Sequence, residues 1–107
     1  IFKHVCHTTG TIPPVIDSRE VLQNPHRMLS LLCEAIGVEF SEKMLTWPAG
    51  KRSSDGVWAK YWYDAVERST GFAPYKAKTD QVPAHLREML AQCNDIYQQL
   101  YQHRLGQ

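Results

Sequence analysis

The residue types best suited to chemistry lie in one segment near the middle of the chain. Lys51 and Arg52 place two positive charges side by side, and Gly56 and Trp58 follow after a short polar stretch. Basic side chains donate charge-assisted hydrogen bonds to anions, and a glycine loop that enters a helix exposes backbone N–H groups. These residues therefore offer the donors that an anion requires. The alternative is a solvated loop before an amphipathic helix whose aromatic side chains form core.

Histidines are the second group of candidates. His4 and His7 would be neighbours on a helix, and imidazole is a common metal ligand. Two ligands do not complete a metal site, so we interpret both as surface or packing residues and predict no metal. His26, His85 and His103 each stand alone, without a nucleophile or an orienting partner. We therefore predict no catalytic residue in this chain.

Aromatic residues follow the basic loop at helical spacing. A helix that begins at Ser54 or Asp55 and stops before Gly71 would carry an apolar stripe. The stripe consists of Trp58, Tyr61, Trp62, Ala65 and Val66. Such a stripe is either a platform on which a nucleotide base stacks or, more commonly, a packing surface.

Local signals predict helices and one strand in the first half of the chain. Residues 1–8 have the pattern of a helix end, and residues 14–17 form a short β-branched run typical of one buried strand. Asn24 before Pro25 is an N-cap signal, and Gly37 is a stop signal. We therefore expect a helix over residues 25–36, with Cys33 on its apolar face.

Shorter elements and one long helix complete the prediction. Asp17 or Ser18 can cap a helical turn over residues 19–23, and Ser41 can cap another turn over residues 42–45. Residues 72–82 lack any period and are expected to form a surface loop. The last helix begins at Pro83 and ends near His103 or Arg104. Its apolar strip, which must bury against something, comprises Leu86, Met89, Leu90, Cys93, Ile96, Tyr97 and Leu100.

Composition excludes several classes of function. The 107 residues carry 12 basic and 11 acidic side chains. Binding to a nucleic acid or to an anionic membrane needs clustered positive charge, so this balance indicates neither as a partner. The 3 cysteines are far apart and odd in number, which favours a reducing cytoplasm. The chain begins with Ile1 rather than Met, which suggests a trimmed or truncated polypeptide.

Several separated motifs resemble the C-terminal region of bacterial sulfotransferase-like proteins. They are residues 14–17, residues 22–25, residues 32–38 and the segment 47–72, which includes Trp-Pro-Ala-Gly, Asp-Gly-Val-Trp and Ser-Thr-Gly-Phe. The similarity extends from about Thr9 to Phe72 and includes the last helix only loosely.

This resemblance implies the second half of a P-loop α/β fold, here a single partial domain over residues 1–107. We expect a mainly α-helical chain of four or five helices with one short strand. The family implies 3′-phosphoadenosine-5′-phosphosulfate as the sulfuryl donor. It places Lys51, Arg52, Gly56 and Trp58 beside the 3′-phosphate of that donor, or of adenosine 3′,5′-bisphosphate.

The sequence also departs from the family pattern. The motif Gly-Asp-Trp-Lys is replaced by Gly56-Val-Trp58-Ala, with Lys60 one position later. The glycine-rich loop with its lysine, the catalytic histidine region and the Ser/Arg pair have no counterpart in these residues. We therefore expect no sulfotransferase activity from this chain alone and a donor-site role within an intact parent.

The alternative function is a stand-alone helical interaction module without catalysis. An unpaired strand and a cut first helix would expose apolar surface and backbone groups, which homodimerisation commonly buries. The expected partners are therefore a second copy or a missing N-terminal half.

Overall fold

Helices dominate the chain, which confirms the mainly α prediction. The computed structural model describes residues 1–107 and contains α-helices joined by turns and loops. The six helices are α1 (Phe2–Thr9), α2 (Ser18–Gln23), α3 (Pro25–Ile36), α4 (Ala59–Trp62), α5 (Asp64–Arg68) and α6 (Arg87–Tyr101). Two 3₁₀ turns cover Glu42–Met44 and Ala84–Leu86. The sixth helix arises because the helix predicted to begin at Ser54 or Asp55 and to stop before Gly71 begins only at Ala59 and is broken at Tyr63 into α4 and α5.

The predicted caps position α2 and α3. Oδ1 of Asp17 accepts hydrogen bonds from the N–H groups of Arg19 and Glu20 at 2.9 and 3.2 Å, which starts α2. The side chain of Asn24 accepts from the N–H of Arg27 at 3.1 Å, which starts α3. Gly37 ends α3 with a φ of 72°, a left-handed conformation that favours glycine.

The predicted strand is reduced to a single bridge. Val15 forms a one-residue parallel bridge with Arg104, and the N–H of Leu105 donates to the carbonyl of Val15 at 2.8 Å. The strand over residues 14–17 was expected to be unpaired. This expectation is wrong at Val15, which has a bridge partner within the chain. Nε of Arg104 also donates to Oε1 of Glu20 at 2.9 Å, so the C-terminal end of the chain lies against the start of α2.

The small core lies on α3. Met28 and Cys33 are the only buried apolar residues, and Asp17 is the third buried residue. The prediction for Cys33 is confirmed, whereas Cys93 on α6 is exposed rather than core. Residues 87–99 of α6 are all exposed, so most of this helix has no neighbouring element to pack against.

The chain is expanded for its size. Its accessible surface is 8932 Å², whereas a compact monomer of this mass exposes about 6,100 Å². The radius of gyration is 17.1 Å, against about 13 Å for a compact domain of this length. Met89 and Ile96 on α6 remain 62% and 59% exposed. The apolar strip of α6 is therefore formed as predicted, but it is largely unburied.

None of the helices combines the length and the apolar content needed to cross a bilayer. The longest, α6, has 15 residues, fewer than the roughly 20 that a spanning helix requires.

Candidate functional site

The segment that carries the predicted basic site is a loop closed at its base. Thr46 and Gly71 form an antiparallel bridge. Beside it, the indole N–H of Trp47 donates to Oγ of Ser69 at 2.9 Å. The Trp47 ring also meets Phe72 edge-on, with ring centroids 5.4 Å apart. These contacts fix both ends of the loop, so its position does not depend on its polar tip.

Three of the four predicted site residues line one shallow cleft of about 240 Å³ within this loop. Lys51, Arg52 and Gly56 share its wall with the carboxylates Asp55 and Glu67. The backbone N–H of Arg52 donates to Oδ2 of Asp55 at 2.9 Å, and the N–H of Asp55 donates to the carbonyl of Arg52 at 3.0 Å. This reciprocal turn holds the two cationic side chains on the exposed side of the loop.

Trp58, the fourth predicted residue, lies at the edge of this cleft. A Cβ atom on Gly56 would stand 3.0 Å from Nε1 of Trp58, so a larger residue at this position would make the indole shift by a few tenths of an ångström. Trp58 is 63% exposed and Trp62 is 78% exposed. The interpretation of these aromatic residues as core is therefore wrong for this chain, because no element packs over α4.

A second polar cluster, which the sequence analysis missed, joins α2 to α6. The hydroxyl of Tyr97 donates to Oδ2 of Asp17 at 2.5 Å, and Nη2 of Arg19 donates to the Tyr97 hydroxyl at 3.2 Å. Asp17 is only 8% exposed. Tyr97 was assigned only to the apolar strip of the last helix, and its pairing with a residue 80 positions away leaves no local signal in the sequence.

The pKa values of this cluster follow from its contacts. Burial raises the pKa of Asp17, but hydrogen bonds from Tyr97 and from the backbone of Glu20 and Arg19 outweigh it, so this pKa is lowered. The hydrogen bond to Asp17 raises the pKa of Tyr97, and the hydrogen bond to Tyr97 raises that of Arg19. At neutral pH the carboxylate is therefore charged, while the phenol remains protonated and donates to it.

A larger cleft of about 550 Å³ opens beside this cluster. It lies between α2, α6 and the loop after Phe72, and its lining residues are Asp17, Ser18, Arg19, Leu22, Tyr75, Lys76, Lys78 and Tyr97. The sequence signal that could have found it is the pair Lys76 and Lys78, which follows Tyr75 in the long loop.

The histidines take separate structural positions. Nε2 of His26 lies 3.0 Å from Oε1 of Glu42, and the His103 ring packs beside Phe2 with centroids 5.1 Å apart. The chain forms no group of three or more His, Cys, Asp or Glu side chains arranged to hold a metal ion.

Comparison with known proteins gives one family. The sulfotransferase domain family matches residues 7–103. Two similar relatives from Arabidopsis thaliana are named branched-chain-amino-acid aminotransferase-like protein 2 and branched-chain-amino-acid aminotransferase-like protein 1. The first is 34% identical over 91% of this chain and 17% of its own length, and the second is 36% identical over 96% and 18%.

The chain thus spans less than a fifth of the length of the curated relatives it matches. No solved structure matches it. The family match extends over both clefts and over α6. It therefore continues well beyond Phe72, the residue at which the close resemblance of the sequence motifs ends. Since it extends from the end of α1 to His103, the chain belongs to the sulfotransferase domain family.

Proposed function

We propose that this chain forms the part of a sulfotransferase-like fold that contacts the 3′-phosphate of the donor nucleotide. Members of the family generally use 3′-phosphoadenosine-5′-phosphosulfate. The observation that carries the proposal is that Lys51, Arg52 and Gly56 line one cleft on a loop with a fixed base. Two exposed cations beside a glycine turn are a suitable arrangement of donors for a phosphate group.

The size of this cleft limits the part of the nucleotide that it holds. Its volume of about 240 Å³ lies below the roughly 300–1,000 Å³ typical of complete small-molecule sites. Asp55 and Glu67 also reduce its positive charge. The residues therefore fit a terminal phosphate, and the rest of the nucleotide requires protein surface opposite the exposed rings of Trp58 and Trp62.

In the proposed role these residues bind and orient, and they perform no chemical step. Lys51 and Arg52 hold the phosphate by charge, while the glycine at position 56 lets the Trp58 indole lie close to the backbone. The bound donor supplies the sulfuryl group. Neither cleft is lined by a histidine, the residue type that the family resemblance implies for catalysis. We therefore infer that the isolated chain does not transfer sulfuryl groups.

Titration calorimetry with adenosine 3′,5′-bisphosphate tests this proposal. We expect weak, millimolar binding that is lost when Lys51 and Arg52 are both changed to alanine. The matched control changes Lys43 and Arg87 to alanine, which removes the same charge from exposed positions outside both clefts. Binding that survives K51A/R52A, or the absence of heat at saturating ligand, overturns the phosphate-binding role.

A second candidate function is a self-associating helical module without catalysis. The exposed strip on α6 and an accessible surface about 2,800 Å² above that of a compact monomer favour it. Stable obligate interfaces bury about 2,000–5,000 Å² in total, or about 1,000–2,500 Å² per chain, so one symmetric contact can bury most of this excess. We propose a homodimer for the isolated chain. In a longer parent, the same surface would pack against the remainder of the fold.

We also propose that the protein resides in a reducing compartment, the cytoplasm. Cys6, Cys33 and Cys93 are all free thiols, and they lie on three different helices. Thiol titration of freshly lysed cells under alkylating conditions tests this, with three free thiols per chain as the expected result. Detection of a stable disulfide in the cellular protein contradicts it.

A further inference from the structure

The larger cleft, of about 550 Å³, concentrates more positive charge than its one carboxylate neutralises. Arg19, Lys76 and Lys78 line it, and Asp17 is its only acidic residue. The three ion pairs of the chain are Arg19 with Asp17, His26 with Glu42 and Arg104 with Glu20. Lys76 and Lys78 are therefore both unpaired.

Both oxygens of Asp17, the only carboxylate that lines the cleft, already accept hydrogen bonds from other groups of the chain. One oxygen of Asp17 accepts from two backbone N–H groups, and the other accepts from the hydroxyl of Tyr97. Neither lysine forms an ion pair with Asp17, and the three cations of the cleft outnumber its one carboxylate. The cleft thus keeps a net positive charge, and like charges held in one hollow favour an anionic occupant.

The size and the aromatic lining indicate what kind of anion fits. The volume lies within the roughly 300–1,000 Å³ typical of sites for small organic molecules, and a lone inorganic ion would leave most of it empty. Tyr75 and Tyr97 are partly exposed and offer flat ring faces and hydroxyl groups beside the cations. A carbon skeleton can therefore pack on the rings while its acid groups pair with the lysines.

We propose that this cleft binds a small organic molecule that carries at least two acid groups, either phosphates or carboxylates. Lys76 and Lys78 bind one group, and Nη1 of Arg19, the guanidinium nitrogen that contacts neither Tyr97 nor Asp17, binds the other. This site is independent of the proposed 3′-phosphate role, because the two clefts share no lining residue.

Isothermal titration with fructose 1,6-bisphosphate and with citrate tests the site, and inorganic sulfate serves as a probe with a single acid group. We expect fructose 1,6-bisphosphate or citrate to bind at least tenfold more tightly than sulfate. The preferred probe identifies the acid group as phosphate or carboxylate. Changing Lys76 and Lys78 to glutamine should weaken binding at least tenfold. Arg19 is left unchanged because its guanidinium also contacts Tyr97.

The matched control is K51Q/R52Q, which removes the same charge from the smaller cleft and should change the affinity less than twofold. Circular dichroism checks that each variant keeps the helix content of the parent. Unchanged affinity in K76Q/K78Q overturns the proposal. Equal loss in both double variants shows general charge attraction and also overturns it, as does the absence of heat with both probes at 10 mM, a concentration about tenfold above millimolar affinity.

Discussion

The hydroxyl of Tyr97 lies 2.5 Å from Oδ2 of Asp17 and joins residues 80 positions apart. The other oxygen of the same carboxylate caps α2. One buried side chain therefore fixes the start of α2 and the docking of α6. Because only three residues of the chain are buried, this contact holds a larger share of the fold than it would in a compact domain.

Changing Asp17 to alanine should therefore destabilise the chain substantially. Loss of an N-cap costs about 0.5–2 kcal/mol, and loss of the Tyr97 contact adds to it. We expect a fall of about 2 kcal/mol in the free energy of unfolding, measured by urea denaturation. The control is Asp80→Ala, which removes an exposed carboxylate in the loop. Equal free energies of unfolding for the two variants would show that the contacts of Asp17 do not stabilise the fold.

The stability of the chain should also depend on pH through Asp17. Its pKa is lowered in the folded state, below the value of about 3.9 typical of an unfolded chain. Its contribution is therefore complete above pH ~4 and is lost as the pH falls through the native pKa. We expect urea midpoints that are flat between pH ~7 and ~5 and decline below pH ~4. In Asp17→Asn that decline should be shallower, and parallel profiles would contradict this assignment.

Local signals predicted much of the secondary structure. Asp17, Asn24 and Gly37 end or begin helices through contacts within four positions, and the sequence determines such contacts directly. The clustering of Lys51, Arg52 and Gly56 in one cleft was predictable for the same reason, since these residues lie within six positions of one another.

Long-range contacts and burial were not predictable from local patterns. The Val15 bridge to Arg104 and the Tyr97 bond to Asp17 join the two ends of the chain. The stripe on Trp58 and Trp62 satisfies helical spacing, yet a stripe is buried only where another element covers it. This chain supplies no such element, so the pattern predicted an apolar face correctly and its burial wrongly.

Trp47 should control the mobility of the basic loop. Its ring and its N–H contact Phe72 and Ser69 at the loop base, so Trp47→Ala removes the closure. For a half-buried ring we expect a loss of about 2 kcal/mol in local stability. Trypsin cleavage after Lys51 and Arg52, followed by mass spectrometry, should then accelerate about 30-fold, because cleavage tracks the open population.

The control for this experiment is Trp62→Ala, since Trp62 is exposed and lies on the same loop. It removes a ring of the same kind without touching the base of the loop, so its cleavage rate should stay within about twofold of the parent. If both variants are cleaved equally fast, the loop is not held by Trp47.

The exposed strip on α6 should cause concentration-dependent self-association of the isolated chain. Met89 and Ile96 project from the strip without cover, and burying such side chains contributes about 1.5–3 kcal/mol each. Changing both to glutamate should therefore weaken dimerisation at least a hundredfold, as measured by sedimentation equilibrium. Val57→Glu, on the basic loop, is the control for added charge and should dimerise like the parent. A parent chain that stays monomeric from micromolar to millimolar concentration contradicts the module hypothesis, and the strip is then explained only by packing within a longer protein.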